Sequence, residues 1–221
     1  MRNLWKGEEA GRVRLATRSL APGRRVYNEE LLKIGGQEYR SWDPYRSKLA
    51  AAILKGLPDG VIQEGERVLY LGTSTGTTPS HVSDLLGDRG LLIGVEFAPR
   101  VAREFVENVA RVRGNVIPYV ADARDPDAYS TIGKVDIVYC DIAQQDQTAI
   151  AIQNCRVHLR TGGRLMLVVK SRSIDVTREP EEVFREERKK LEEAGFEVIQ
   201  MVGLEPFEKD HAMILARFRL G

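Results

Sequence analysis

Four charged side chains stand at or just after the ends of short apolar runs of the sequence, namely Glu96, Asp122, Asp141 and Lys170. If these runs are parallel strands, the four side chains lie at one edge of a sheet, where open α/β sheets bind their ligands. A carboxylate at that edge can accept the hydroxyls of a ribose or an amino group of a base. A Lys–Asp pair there can orient a hydroxyl group and help it lose its proton. A solvated carboxylate for Glu96 and a structural ion pair for Asp141 with Lys170 are the alternative interpretations.

A glycine-containing turn precedes these positions and has the spacing GxxxG. Gly72 allows the chain to turn sharply, and Gly76 allows a ligand to approach the backbone closely. The amides of Thr77 and Thr78 then open a helical segment and can donate to a carboxylate or a phosphate. Glu96 follows Gly72 by 24 residues, close to the spacing at which an acid accepts ribose hydroxyls. We therefore expect a cofactor that contains adenosine, although a glycine turn alone is also an ordinary strand-to-helix connection.

The segments that must position these residues alternate in type from residue 67 onward. Unbroken β-branched or leucine-rich runs are typical of strands buried on both faces, and their alternation with helices predicts a parallel sheet. After a last charged helix, two runs are separated only by GLEPFEKDH, which leaves no room for a crossover helix and predicts an antiparallel hairpin. The predicted strands are Val68–Leu71, Leu91–Val95, Val116–Val120, Val135–Cys140, Arg164–Val169, Phe196–Val202 and Ala212–Leu220, and the predicted helices are Thr77–Leu86, Pro99–Val112, Gln147–Leu159 and Glu179–Ala194.

Five parallel strands followed by a β-hairpin are the layout of the class I, Rossmann-like methyltransferase sheet, in which the last strand inserts beside the fifth. A nicotinamide-dependent oxidoreductase is the alternative, because it shares the glycine turn and the acid after the second strand. The absence of GxGxxG and the terminal hairpin argue against that alternative. The sequence thus favours an α/β methyltransferase fold.

The first part of the chain has a different pattern. Arg12–Thr17, Leu20–Val26 and Leu32–Tyr39 resemble short strands of a small antiparallel subdomain, interrupted by APGRR and by Gly35–Gly36. Ser47–Leu54 resembles an Ala-rich helix. We expect two domains, a small N-terminal β subdomain with its lead-in helix over 1–55 and the larger domain over 56–221.

Charge is distributed unevenly although the 221-residue chain carries a net charge of only +1. Residues 1–55 contain 12 Lys and Arg against 6 Asp and Glu, whereas the remainder contains 21 against 26. A basic N-terminal part favours a polyanion or an acidic partner at that end, with a solvated basic face as the alternative.

The overall composition excludes several classes of protein. With 43% hydrophobic residues the chain can form a core, and no apolar run approaches the roughly 20 residues that span a bilayer. The N-terminus also lacks the apolar segment of a signal peptide, so we expect a soluble, cytoplasmic protein without a membrane anchor. Cys140 and Cys155 form neither a CxxC motif nor a Cys/His cluster, which predicts packed thiols and no metal site.

Several motifs are longer than the fold alone requires. With YRSWDPYRSKLAAAI (39–53), VLYLGTSTGTTPSHVSD (68–84), GVEFAPR (94–100), DAR (122–124), DIAQ (141–144), VVKSRSIDVTREPEEVF (168–184) and EPFEKDHA (205–212), the sequence resembles the fibrillarin family of RNA 2′-O-methyltransferases. The resemblance extends from about residue 12 to the C-terminus. Members from eukaryotes carry a Gly/Arg-rich N-terminal extension that this sequence lacks, which favours an archaeal source.

The resemblance implies specific site residues. Lys48, Asp141, Lys170 and His211 fall on the family's catalytic Lys-Asp-Lys-His set. S-adenosylmethionine is the implied cofactor, and the residues that the resemblance and the glycine turn assign to it are Gly72, Gly76, Thr77, Thr78, Glu96, Phe97, Asp122, Ala123, Asp141, Ile142, Ala143 and Gln144. Thr73 and Gln145 depart from the family's usual Ala and Pro, and neither change removes a group that the chemistry needs.

The implied reaction is guide-directed methylation of rRNA and tRNA. Arg46 and Arg172 suit phosphate contacts, yet a net charge of +1 is low for a protein that holds RNA unaided. The resemblance implies partners that bind the RNA instead. They are a Nop-domain scaffold protein, a kink-turn-binding ribosomal-type protein, and a box C/D guide RNA that pairs with the target RNA. A catalytically silent scaffold is the alternative, which the presence of all four polar catalytic candidates disfavours.

The sequence leaves the proton acceptor open. Lys170 either orients the ribose hydroxyl and stabilises the developing alkoxide, or it takes the proton itself. Two lysines around one carboxylate titrate as a coupled group, so residue types alone do not assign the role. A single histidine is more often structural, and His211 is a candidate only through its place in the EKDHA motif, whereas we interpret His81 and His158 as ordinary.

Overall fold

The computed structural model describes residues 3–9 and 11–219. The eleven strands described are Leu4–Glu9 (β1), Arg12–Arg18 (β2), Leu31–Ile34 (β3), Gln37–Trp42 (β4), Arg67–Leu71 (β5), Leu91–Glu96 (β6), Val116–Val120 (β7), Val135–Cys140 (β8), Leu159–Lys170 (β9), Phe196–Gly203 (β10) and His211–Phe218 (β11). The α-helices described are Lys48–Leu54 (α1), Thr77–Leu86 (α2), Pro99–Asn108 (α3), Gln147–His158 (α4), Ser171–Ile174 (α5) and Pro180–Glu193 (α6).

The larger sheet has the order β10-β11-β9-β8-β5-β6-β7. Strands β5 to β9 are mutually parallel, and β11 lies antiparallel to both of its neighbours, β9 and β10. This arrangement confirms the predicted methyltransferase-type sheet with its terminal hairpin, the last strand being inserted beside the fifth parallel strand. The carboxyl ends of the parallel strands consequently share one edge.

Helices cover both faces of this sheet, which explains why the parallel strands are nearly uninterrupted apolar runs. On one face Tyr70 of β5 and Tyr139 of β8 pack in a cluster with residues of α1, α2 and α3. On the opposite face Leu71 and Cys140 pack in a second cluster with residues of α4 and α6. Because side chains alternate along a strand, this assignment also fixes which residues at the strand ends face α1.

The smaller sheet, in the order β1-β2-β4-β3, is antiparallel throughout. Leu4, Leu15 and Trp42 of this sheet share a hydrophobic cluster with Tyr70 and Val82 of the larger part. The small N-terminal β-rich part is therefore confirmed, and the two sheets have a common core. The domain boundary at residue 55 stays a prediction.

Several predicted boundaries were wrong. The segment Leu20–Val26 forms turns rather than a strand, because the Val26 amide donates to the carboxylate of Glu29 and the Gly23 amide to that of Glu38, so local carboxylates replace a strand partner. Strand β1 was missed. The predicted helix Pro99–Val112 ends at Asn108, since Val109 leaves helical geometry with φ −126° and ψ −62°.

Other differences are smaller. Strand β9 begins at Leu159 rather than Arg164. The last strand ends at Phe218, and Leu220, which the prediction included, lies outside the described residues. Cys140 and Cys155 are both fully buried, as expected of packed thiols. Among the residues described, no helix is long and apolar enough to cross a membrane.

Candidate active site

A cleft of about 310 Å³ opens at the carboxyl ends of the parallel strands. Its volume lies within the range of ordinary small-molecule sites. Most of the predicted cofactor residues line it, which confirms that the strand ends converge at one place. Its lining comprises Gly72, Ser74, Val95, Glu96, Phe97, Ala121, Asp122, Ala123, Arg124, Asp141, Ile142, Ala143, Gln144, Ile150 and Lys170.

Gly72 has a structural reason to be glycine. Its φ is +84°, and a Cβ at this position would lie 2.9 Å from the carbonyl oxygen of Asp141. The amide of Asp141 in turn donates to the carbonyl of Leu71 at 3.0 Å. The backbone at the end of β5 is therefore in close contact with the segment that carries Asp141, as only glycine allows.

The structure places three predicted cofactor residues, Gly76, Thr77 and Thr78, outside the cleft lining. A Cβ on Gly76 would collide with the side chain of Val109, so close packing against the end of α3 explains this glycine without a ligand. The hydroxyl of Thr78 is directed into the interior, where it donates to Ser47 Oγ at 3.0 Å.

Glu96 and Asp122 are held in the cleft wall by backbone amides. The Glu96 carboxylate accepts from the amides of Ser74 at 2.9 Å and Ala98 at 3.2 Å. The Asp122 carboxylate accepts from the amide of Arg124 at 2.9 Å. Each carboxylate keeps further acceptor capacity, because an ionised carboxylate offers about four lone-pair sites.

Arg124 connects two sides of the cleft and was missed by sequence analysis. Its guanidinium donates to the Gln144 amide oxygen and to Asp146, both at 2.9 Å. The signal was present in the DAR motif, but nothing in the sequence indicated that the arginine reaches the loop after β8.

Three charged side chains form a cluster at the edge of the cleft. Lys170 Nζ lies 2.8 Å from Asp141 Oδ1 and 3.0 Å from the Asp141 carbonyl oxygen. Lys48 Nζ lies 3.4 Å from Asp141 Oδ2. The side chains are only 12–20% exposed, so water screens these charges less than it would at an open surface. We name Lys48, Asp141 and Lys170 the lysine–aspartate cluster.

Neighbouring ionisable groups beneath this cluster stay protonated at neutral pH. The rings of Tyr70 and Tyr139 stack with centroids 4.4 Å apart. Burial raises the pKa of both hydroxyls well above 10.0, and the Asp141 carboxylate acts in the same direction. Burial also raises the pKa of the Cys140 thiol to about 12. These three side chains are therefore poor candidates for a proton acceptor.

His211 lies beside the cluster but outside the cleft lining. It pairs with Lys170 in the β9–β11 register, and directly opposed residues of an antiparallel pair share a face of the sheet. Its Nδ1 is 2.6 Å from the carbonyl oxygen of Lys209. Since a carbonyl only accepts, Nδ1 is the donor in this contact. The side chain borders a neighbouring depression together with Asp210.

The two predicted RNA-binding arginines differ in their surroundings. Arg172 donates to Asp210 at 3.1 Å and to the carbonyl of Val176 at 3.0 Å, which ties two loops together. Arg46 is exposed, with its guanidinium carbon 5.2 Å from the centre of the Tyr27 ring.

The hydrogen-bond acceptors and the apolar surfaces of the cleft suit an adenosyl group. Glu96 and Asp122 offer acceptors for hydroxyl and amino groups, and Phe97, Ile142 and Ile150 provide apolar surface for a base. In contrast, no group of three His, Cys, Asp or Glu that could hold a metal ion occurs among residues 3–9 and 11–219.

Comparisons with known proteins agree with this geometry. A model of the family Fibrillarin matches residues 1–220. A fibrillarin-like rRNA/tRNA 2′-O-methyltransferase of Sulfurisphaera tokodaii is 53% identical over 210 residues, covering 95% of this chain and 90% of that protein. Aeropyrum pernix fibrillarin, crystallised with natively bound S-adenosyl-L-methionine, matches with a TM-score of 0.88 at 50% identity, covering 97% and 94% of the two chains. A fibrillarin from a fibrillarin/Nop5p complex matches with a TM-score of 0.85 at 40% identity, covering 100% and 99%. The chain belongs to the fibrillarin family.

Proposed function

We propose that this chain transfers a methyl group from S-adenosylmethionine to the ribose 2′-hydroxyl of rRNA and tRNA. The observation that carries the proposal is the lysine–aspartate cluster at the edge of a cleft suited to adenosine. A 53% identical relative is a fibrillarin-like rRNA/tRNA 2′-O-methyltransferase, and a 50% identical relative binds S-adenosyl-L-methionine.

We assign the cofactor to the cleft. Glu96 accepts the ribose hydroxyls and Asp122 an amino group of the base, while the backbone around Gly72 and the segment Ile142–Gln144 give close contacts. The amides of Thr77 and Thr78 are further donors at the start of α2, and their side chains lie outside the cleft lining. When bound, the cofactor supplies a methyl group on a sulfonium that is activated for in-line displacement.

The lysine–aspartate cluster positions and activates the sugar hydroxyl. Asp141, between its two lysines, accepts a hydrogen bond from the ribose 2′-hydroxyl. This bond holds the hydroxyl oxygen in place and accelerates the reaction by orienting it. Lys170 stabilises negative charge as it develops on that oxygen, or, in its neutral form, takes the proton itself, and Lys48 supports either role as the second cation. We also assign His211, which lies opposite Lys170 in the β9–β11 register, to this site.

The target RNA is brought by partners. A relative at 40% identity forms a fibrillarin/Nop5p complex, and we propose that this chain likewise binds a Nop-domain scaffold protein. The scaffold joins it to a kink-turn-binding protein and a box C/D guide RNA, which selects the target nucleotide by base pairing. This division fits the net charge of +1, since an RNA-binding enzyme that worked alone would need more phosphate contacts. Arg46 and Arg172 add local phosphate contacts. We place the reaction in the cytoplasm.

The variant Lys170→Ala tests the catalytic assignment. It should reduce methylation by the assembled particle to about 1% or less, because loss of a positioned acid–base group typically costs 100-fold or more. Binding of S-adenosylmethionine, measured by titration calorimetry, should persist. The control Lys33→Ala changes an exposed lysine of β3 and should retain full activity. Normal turnover of Lys170→Ala would remove this residue from the mechanism, and preferential binding of NAD would favour an oxidoreductase instead.

A further inference from the structure

The hydroxyl of Thr78 joins two distant segments in the interior. It is 3.0 Å from Ser47 Oγ, across a separation of 31 residues in the sequence. Thr78 is 6% exposed and Ser47 is 1% exposed, so solvent does not compete for this bond. One partner lies in the first turn of α2, directly after the glycine turn, and the other lies at the start of α1.

Ser47 determines how α1 begins. It is the N-cap residue of this helix, with extended geometry at φ −143° and ψ 111°, and its Oγ accepts from the amide of Ala50 at 3.5 Å. The first residue of the helix is Lys48, whose ammonium lies 3.4 Å from Asp141. Because Ser47 and Lys48 are adjacent in the sequence, the position of Ser47 determines where the backbone of Lys48 lies.

We propose that Thr78 and Ser47 are positioning residues for methyl transfer, because the hydrogen bond between their hydroxyls sets the place of Lys48 beside Asp141. The inference rests on the proposed function, since it takes Lys48 to act in that reaction. It assigns to the Thr78 side chain a task in the interior rather than a contact with the cofactor. The Thr78 amide, at the start of α2, stays available for the cofactor.

The geometry explains why this contact matters for rate. Lys48 is at 3.4 Å from Asp141, near the limit of a hydrogen bond, whereas Lys170 is at 2.8 Å. A small shift of α1 would separate Lys48 from the cluster while leaving Lys170 in contact. Displacements of about 1 Å in an active site can reduce rates by as much as 100-fold. The bond also connects the segment after Gly76 to the residue that precedes Lys48.

The variant Thr78→Val removes the hydroxyl with little change in shape. In the particle assembled with partners and RNA, we expect the single-turnover rate of methylation to fall about 10-fold. The Kd for S-adenosylmethionine should stay within about twofold, because the backbone amide is kept. Thr78→Ser retains the hydroxyl and should restore a rate within about twofold of wild type.

Thr148→Val is a matched control. Thr148 is 1% exposed, and its hydroxyl has no hydrogen-bond partner among the described residues, so the same substitution there removes no bond. We expect its methylation rate to be unchanged. Thermal unfolding of each variant separates a loss of rate from a loss of folded protein.

Combination with Lys48→Met distinguishes this inference from the proposed function. If the hydrogen bond acts through Lys48, Thr78→Val should cause no further loss in a Lys48→Met protein. An additive loss, or a wild-type rate for Thr78→Val alone, would overturn the inference. A rise in the Kd of Thr78→Val for S-adenosylmethionine that is large enough to account for the loss of rate would overturn the inference as well. A wild-type rate for Lys48→Met would instead contradict the role that the proposed function gives to this lysine.

Ser47→Gly provides an independent variant should Thr78→Val fail to fold. Glycine is well tolerated at an N-cap, so this change removes the hydroxyl at small cost to α1. We expect the same fall of about 10-fold in rate, with no greater loss in the double variant. An unchanged rate for Ser47→Gly would contradict the inference.

Discussion

Asp141 lies between two ammonium groups and is the one anion of the lysine–aspartate cluster. Asn at this position keeps the shape but removes the charge, leaving Lys48 and Lys170 without their counterion. We predict that Asp141→Asn lowers the methylation rate at least ~100-fold at saturating cofactor. The rate is measured as methyl groups transferred to RNA by the assembled particle.

A matched change at an exposed acid serves as the control. Asp59 pairs with Lys6 at the surface, where its side chain is 46% exposed. Asp59→Asn should leave the methylation rate unchanged. Retention of most activity by Asp141→Asn would show that the charge of this residue does not take part in the reaction.

The cleft residues at the strand ends were predictable from the sequence. Parallel strands place their carboxyl ends at one edge of the sheet, and each such end can be located as the end of an apolar run. Glu96, Asp122, Asp141 and Lys170 all line the cleft for this reason. The direction of the Thr78 side chain was not predictable, since it depends on a contact with Ser47 far away in sequence.

At the scale of elements, the turn between β5 and α2 depends on its close approach to the end of α3. Gly76 has φ +106°, and a Cβ there would meet the side chain of Val109. Gly76→Ala should therefore lower the free energy of unfolding by about 2 kcal/mol or more, through backbone strain and steric overlap. Chemical denaturation measures this loss.

Gly114 provides the comparison for that substitution. It has open space where a Cβ would stand, and its φ is not in the left-handed region. We expect Gly114→Ala to change the free energy of unfolding by no more than about 0.5 kcal/mol. Equal effects of the two substitutions would mean that the packing of the turn against α3 adds no constraint.

The helices and strands were predictable where their apolar residues recur with a single clear spacing along the sequence. The buried strands β5 to β8 and helices α2 and α4 have nearly the predicted bounds. Strand β1 and the turns over 20–26 were not predictable, because their backbone partners are chosen by tertiary contacts: β1 pairs with β2, and the turns use the carboxylates of Glu29 and Glu38.

In the molecule as a whole, a buried network of hydrogen bonds and ion pairs connects the smaller sheet to α2. Arg40 is fully buried and bonds to Glu29 at 2.7 Å and Asp84 at 2.8 Å. Burial lowers the pKa of Arg40, but the carboxylates of Asp84 and Glu29 raise it by more, so the guanidinium stays charged. The charge count of the N-terminal part therefore includes a cation that no external polyanion can reach.

His81 is the residue of this network that makes the stability of the fold depend on pH near neutrality. Its two ring nitrogens lie 2.7 Å from the hydroxyls of Thr17 and Tyr27. Burial, with Arg40 and Arg113 as further causes, lowers the pKa of His81 well below 6.5, so the ring is neutral in the folded protein.

The pH dependence of stability follows from that pKa. Below about pH 6.5 the unfolded chain binds a proton at His81 that the folded protein does not, so the free energy of unfolding should decrease from pH 7 to pH 5. The lowered pKa of Glu29 acts in the same direction, but only below its ordinary value of 4.5. Urea denaturation at several pH values measures the slope.

Variants assign that slope to a residue. His81→Gln removes the titrating group and should flatten the curve between pH 5 and pH 7. A slope that survives in His81→Gln would show that another group controls stability in this range.

We propose that this chain, placed on RNA by its partners, methylates a ribose 2′-oxygen at the edge of the cleft. The most direct measurement is transfer of labelled methyl from S-adenosylmethionine in a particle assembled from this chain, a Nop-domain protein, a kink-turn-binding protein and a box C/D guide with its target. We expect one 2′-O-methylated nucleotide at the position set by the guide, and little transfer when the chain is alone with the same RNA. Methylation of a base, full activity of the isolated chain, or no transfer by a particle that binds the cofactor would contradict this proposal.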